Sequence, residues 1–213
     1  GAYNVAIGKA SLSANTTADS NVAVGTNALE VNTTGTRNVA VGTNTADSMT
    51  VGRYNVAMGY NALAGDIEGD YAVAIGYGAL QLQQSDSTNQ VTYNTAVGGN
   101  AGYAVTTGIK NTFVGGASGA NGTITGDENI AVGYNCGYSL TSAAANVLMG
   151  SGAGSALTTG GYNVAAGVSA LVSEDTGRKN VALGGYALAA QNSDTDNFNV
   201  AVGWDAGNDV TTG

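Results

Sequence analysis

The sequence contains no proline and no histidine, a single cysteine, two phenylalanines and one tryptophan. Only 10 % of its 213 residues are charged, with six basic side chains against fifteen acidic ones. Each scarcity excludes something. Without His, neither Ser-His-Asp nor Cys-His catalysis can be assembled, and His-ligated zinc, iron or copper is excluded as well. One thiol, Cys136, closes no internal disulfide and forms no thiolate cluster for a metal. The net charge of −9 repels phosphate backbones and anionic lipid, so nucleic acid is not an expected partner. No apolar run approaches the roughly 18 residues of a membrane helix. Low charge together with 43 % apolar residues argues against disorder, and the lack of Pro argues against collagen. Gly1-Ala2-Tyr3 shows neither an initiator Met nor a signal-peptide profile, and a segment of a longer chain is expected.

What is abundant is glycine, 34 residues, and it is periodic. The pentad Asn-Val-Ala-Val-Gly, with conservative variants, begins at Asn4, Asn21, Asn38, Asn55, Ala72, Asn94, Asn111, Asn129, Asn146, Asn163, Asn180 and Asn199. Most starts are 17 residues apart; five extra residues fall between Leu80 and Asn94, one between Gly119 and Asn129, and two between Leu188 and Asn199. The unit reads Asn-Val-Ala-Val-Gly-x-Asn-Ala-Leu-x-x-x-Thr-Thr-Gly-x-x, best seen from Asn21 to Arg37. Residues 1–213 therefore form one repeat array.

Position 2 of the unit is Val, Ile or Thr throughout, and β-branched residues favour strands. Position 5 is always Gly, as a sharp turn or a close backbone approach requires. Asn at position 1 and Thr-Thr-Gly near the end supply turn chemistry. The unit is expected to run strand, corner, short strand, corner. It is too short for a helical repeat and too regular for a sandwich. The expected fold is all-β: a parallel β-solenoid or β-roll of about twelve coils, with strands about 4.8 Å apart and a rod of roughly 58 Å. The extra residues are expected to bulge outward as loops.

Positions 2 and 4 point one way and position 3 the other. Both sets are apolar, since position 3 is Ala except at Phe113 and Leu148. Apolarity on both faces predicts that one packs inside the coil and the other against further copies, in an obligate oligomer. Alternation alone leaves open which face looks inward.

Asn4-Val5-Ala6-Ile7-Gly8 and its recurrences resemble the Ser/Asn-Val-Ala-Ile-Gly head repeats of YadA-like trimeric autotransporter adhesins. Asn94-Thr95-Ala96-Val97-Gly98 is similar to the Asn-Thr-Ala-Val-Gly-x-x-Ala-Leu…Thr-Thr-Gly arrays of phage and bacterial fibre proteins. The resemblance covers all twelve units. It implies a homotrimeric left-handed β-roll serving as an extracellular fibre segment or adhesin head, on a virion or a bacterial surface, without enzymatic activity or cofactor. The longer unit with its Thr-Thr-Gly corner favours the phage tail-fibre form, engaged in host attachment; the bacterial adhesin head is the alternative.

Candidate sites are few. Tyr60, Tyr77, Tyr134 and Trp204, just after the pentad Gly, are platforms on which a cell-surface glycan or receptor would stack; the competing reading is a stacked ladder covering the corner. Gly150-Ser151-Gly152-Ala153-Gly154 imitates a phosphate loop, but no Lys follows. Cys136 reads as a small buried filler. Acidic pairs such as Asp66/Asp70 and Asp194/Asp196 read as solvated loops, and Asp194, Asp196 and Asn197 have the chemistry but not the spacing of a calcium loop. Catalytic carboxylates of a glycan hydrolase would need matched Glu residues in neighbouring coils, which the units do not provide. Recurrent Thr-Thr pairs, including Thr16-Thr17 and Thr33-Thr34, raise ice binding as another alternative, although Asp66-Ile67 and Ser142-Ala143 interrupt the series.

Overall fold

The computed structural model describes residues 1–85, 87 and 90–212. Twelve three-residue strands appear among them: β1 Val5–Ile7, β2 Val22–Val24, β3 Val39–Val41, β4 Val56–Met58, β5 Val73–Ile75, β6 Thr95–Val97, β7 Thr112–Val114, β8 Ile130–Val132, β9 Val147–Met149, β10 Val164–Ala166, β11 Val181–Leu183 and β12 Val200–Val202. They stack in chain order as one parallel sheet, and each contacts only its sequence neighbours. Register follows the repeat: Val5 pairs with Val22, Ala6 with Ala23 and Ile7 with Val24. The fold is a β-solenoid in which eleven turns join twelve strands, and coils are numbered here by their strand. Asp86, Thr88 and Asn89, in the longest insertion, and Gly213 lie outside the described residues.

The position 3 face is the inner one. Ala23, Ala40 and Ala57 are buried whereas positions 2 and 4 are mostly half-exposed or exposed. Interior volume explains the choice. Leucines at position 9 (Leu12, Leu29, Leu63, Leu80, Leu171, Leu188) fill the coil from the opposite wall, leaving room only for a methyl group at position 3. Where position 3 is large the arrangement is reversed. Phe113 lies against Gly102 and Gly119, and Leu148 against Gly137 and Gly154.

Among the described residues each coil has one strand, not two. Around the Thr-Thr-Gly corner only isolated parallel bridges form, for example Val105 to Ile124. The reason is local: Thr33 N, Thr34 N and Thr33 Oγ1 all donate to Thr50 O, at 2.9, 3.2 and 3.2 Å. Three donors on one carbonyl tie adjacent coils together but do not continue a strand ladder.

Glycine also accounts for fewer corners than its count suggests. Position 5 needs it twice over: φ at Gly8 is 128°, and an added Cβ would stand 2.5 Å from Gly25 O in the next coil. Positions 7, 9 and 17, however, turn through the left-handed region mostly without glycine, as at Asn27 (φ 59°), Leu29 (50°) and Arg37 (61°). Among the described residues 29 non-glycine residues take a positive φ, a conformation costing roughly 1–2 kcal/mol for an L-residue. Each such amide in that coil bonds to a neighbouring coil: Asn27 N to Lys9 O, Leu29 N to Thr45 O, Arg37 N to Asp19 O, at 2.9 to 3.1 Å. Strain at the corners is thus offset by axial stacking.

A second ladder runs inside. Buried Asn38 receives a hydrogen bond from Asn55 N on its Oδ1 at 2.9 Å and donates Nδ2 to Gly52 O at 2.7 Å. The pattern recurs down the column, so the first residue of each unit serves inter-coil bonding, beyond the turn role expected of it.

Candidate functional site

Three surface features result from this framework. The first is an outward apolar stripe formed by positions 2 and 4. Over twelve coils it carries no charged residue, and its polar members are Thr95 and Thr112. Val97, Ile130 and Met149 are among its clearly exposed members within the array.

The second is aromatic. Tyr54, Tyr71 and Tyr93, at the corner before the strand, stack with centroid separations of 4.8 and 5.4 Å, and Arg37 sits 5.3 Å from the centre of the Tyr54 ring. Tyr60 and Tyr77, after the strand, stack at 5.7 Å with rings nearly parallel. Coil-to-coil spacing dictates this, since residues at one position of successive coils are held at ring-stacking distance. The four platform residues are therefore not gathered into one site. Tyr60 and Tyr77 form a pair. Trp204 lies over Gly185 and meets Tyr186 edge-on at 5.4 Å, on coil 12. Tyr134 stands apart from all of these, against Gly116 of the preceding coil.

The third feature, which the sequence reading missed, surrounds Tyr134. Coils 8 to 10 enclose an open trough of about 410 Å³ lined by Tyr134, Asn135, Tyr138, Ser151, Ser155 and Ser169, among others. Tyr138 also borders a second hollow of about 230 Å³ that reaches back to Asn100 and Tyr103 on coil 6. The signal was a run of small residues at positions 6, 7, 10 and 11 in this stretch, such as Gly116, Ala117, Ala120, Gly152 and Ser155, where other coils carry Asn27, Glu30 or Tyr60.

Several carboxylates depart from the solvated-loop reading. Asp66 and Asp70 are buried. Asp70 binds Arg53 Nη2 at 2.9 Å, and this contact raises the guanidinium pKa, first through the hydrogen bond and then through charge. Asp66 receives Gln83 Nε2 at 2.6 Å and the amide and hydroxyl of Ser85 at 3.2 and 2.8 Å. Glu174, equally buried, repeats the device with Gln191 Nε2 at 2.8 Å and Ser193 N at 3.2 Å. Both acid–glutamine pairs immediately precede a lengthened turn, and each carboxylate anchors the first serine of that insertion. The oxygens of each buried acid are met by donors of its own and the next coil, including Gly69 N for Asp66 and Gly177 N for Glu174.

Other acidic groups have assigned partners as well. Asp196 pairs with Lys179 at 2.5 Å, Asp194 accepts from Thr176 Oγ1 at 3.2 Å, and Asn197 Oδ1 accepts from Ser193 Oγ at 2.7 Å. Among the described residues no group of three or more Cys, Asp or Glu is placed to hold a metal ion. Glu30 and Asp47 occupy position 10 of successive coils, a Glu/Asp match that a search for paired Glu overlooks. Burial, reinforced by the charge of Glu30, raises the Asp47 pKa. Cys136 is buried, and burial pushes its thiol up to about 12.

The Thr-Thr series is also drawn into the scaffold. Thr16, Thr33, Thr141 and Thr158 each donate Oγ1 to a carbonyl of the next coil at 2.9 to 3.2 Å. No helix among the described residues is long and apolar enough to cross a membrane. No family model, curated protein or solved structure matches the chain significantly.

Proposed function

We propose that this chain is a structural shaft or head segment of an extracellular fibre, most closely of the phage tail-fibre kind used in host attachment, and that copies associate along the outward stripe as a homotrimer. The observation that carries the reading is the stripe itself: an uncharged, mostly aliphatic face aligned on one side of an in-register stack of strands. Two partly exposed aliphatic side chains per coil give on the order of 1,000 Å² over the rod, against about 800 Å² per partner in a standard interface. Stacked tyrosines on both flanks widen the apolar surface in coils 4 to 6. The inner ladders make each coil stiff, and a solenoid of coils transmits load without a hinge. The resemblance of the repeat to fibre and adhesin arrays supports the same conclusion, and a bacterial adhesin head would use the stripe in the same way.

Sedimentation equilibrium tests this. The expected mass is three times 20.9 kDa, falling to one chain when Val164→Glu and Val181→Glu place charges on the stripe, with far-ultraviolet circular dichroism unchanged. A 20.9 kDa monomer at micromolar concentration overturns the assembly. Ice binding is less well supported, because the first hydroxyl of each Thr pair cited above donates its proton inside the array; substantial thermal hysteresis would reverse that ranking.

A further inference from the structure

We propose that the trough on coils 8 to 10 is a binding site for a neutral oligosaccharide. This deepens the attachment reading by naming the surface and the ligand class, and it rests on that reading only for its biological use.

Four properties of the trough define the ligand. Two exposed aromatic residues of coil 8 line it: Tyr134 is 63 % exposed and Tyr138 37 %. Serine hydroxyls of coils 8 to 10 share the lining. Among the described residues no internal hydrogen bond engages the side chains of Ser139, Ser151, Ser155 or Ser169, whereas Ser11 and Ser118, at inward positions, donate to Ala23 O and Ala131 O at 2.9 Å. No lining residue is charged, although the chain carries −9 overall. Finally, Tyr138 also borders the second hollow, whose lining reaches coil 6, so the two hollows together span coils 6 to 10, four coil spacings or about 19 Å at the usual strand separation.

Aromatic faces stack on the C–H face of a pyranose while hydroxyls and an amide such as that of Asn135 exchange hydrogen bonds with its rim. An anionic sugar or phosphate would find no cation here. A peptide would need either a free strand edge or a deep apolar pocket for its side chains, and the wall carries neither. The site is also a local specialisation. In coils 6 to 9 position 9 is Gly102, Gly119, Gly137 and Gly154, and position 3 is enlarged to Phe113 and Leu148 in two of them, so the core departs from the common unit over a stretch that overlaps the trough in coils 8 and 9.

The test uses the whole chain and isothermal titration with cellohexaose, maltohexaose and chitohexaose, with an oligogalacturonate as the acidic control. At least one neutral hexasaccharide is expected to bind. Affinity should fall about tenfold or more in Tyr138→Ala and in Gly152→Asn. The second variant fills the trough without straining the backbone: Gly152 has φ 68°, and Asn already occupies that position at Asn27, Asn44, Asn61 and Asn135 with φ between 51° and 59°. Thermal unfolding of Gly152→Asn is expected to match the parent, which separates loss of the site from loss of the fold. Failure of all three neutral probes to bind, preference for the acidic control, undiminished binding by the filled variant, or selection of peptides at Tyr138 from a displayed library overturns the proposal. A self-associating chain that binds no sugar removes the trough and leaves the fibre; a monomer that binds sugar does the reverse.

Discussion

Phe113 and Gly119 form one packing unit: a Cβ on the glycine would stand 2.6 Å from Cδ1 of the ring, so the aromatic occupies the space that a position 9 leucine fills elsewhere. The same exchange joins Leu148 to Gly154, where the separation would be 2.8 Å.

Phe113→Ala is therefore expected to cost about 3–5 kcal/mol by leaving a cavity, and Gly119→Leu about 1–3 kcal/mol or more by overpacking. Together they recreate the common coil, with leucine turning at φ near the 50° of Leu29. The double variant should recover most of the loss. Urea unfolding of the four members of the cycle checks this; simple additivity would contradict the exchange.

Removing one member of an acid–glutamine pair leaves a buried oxygen unpartnered. Gln191→Leu takes the donor from Glu174 Oε2 and the acceptor from Asn199 Nδ2, now 2.8 Å away. A loss of about 1–3 kcal/mol is expected. Adding Glu174→Leu should restore part of it, since Leu140 and Leu157 already stack at this position in coils 8 and 9. Ser193 would still lose its anchor, so amide exchange in residues 193–197 should remain fast even in the double variant.

In the asparagine column, Asn146→Ala strips the acceptor from Asn163 N at 3.0 Å and the donor from Gly160 O at 2.9 Å. Faster hydrogen exchange at Asn163 is expected, with a stability loss of about 1–3 kcal/mol. Ala72 shows how the column can be interrupted: Asn55 Oδ1 still takes its amide at 2.8 Å, and Gln83 Oε1 supplies Asn94 Nδ2 with an acceptor at 2.9 Å. Asn146 has no such substitute among its bonded partners.

Cys136 sets an alkaline limit. Its thiol ionises near 8.5 in an unfolded chain and at about 12 when folded, so the folded state holds the proton over that interval. The contribution is complete below pH 8.5 and is lost as pH rises towards 12, because the unfolded state gains by ionising. Cys136→Ala should flatten the decline of the melting temperature above pH 9. At pH 8 a disulfide reagent should label the native chain only at the rate of unfolding; rapid labelling would contradict burial.

Much of the architecture follows from residues that recur. The period, the strand and the glycine at position 5 are visible because each is a backbone requirement imposed at every coil. The inward face was not, since Ala and Val are both apolar and alternation carries no sign. What decides it is volume across the coil, and the reciprocal change of Phe113 and Leu148 with four glycines is written in the sequence for a reader who compares positions 3 and 9. The corners at positions 7, 9 and 17 were hidden because they take left-handed φ with Leu, Tyr and Lys, against local preference. The trough was missed for a different reason: small residues signal nothing individually, and only the stacking of successive coils turns them into a surface.

Because every coil meets only the one before and the one after, in identical register, the array is tolerant of copy number. A 17-residue duplication or deletion among the common coils would return each side chain to surroundings it already has, changing rod length by about 4.8 Å per coil. The same event within coils 6 to 9 would separate Phe113 or Leu148 from its glycines and divide the trough. Recombination is thus free to set length among the common coils, whereas coils 6 to 10, and the neighbours joined by Asp66–Gln83 and Glu174–Gln191, keep their surroundings only when inherited together.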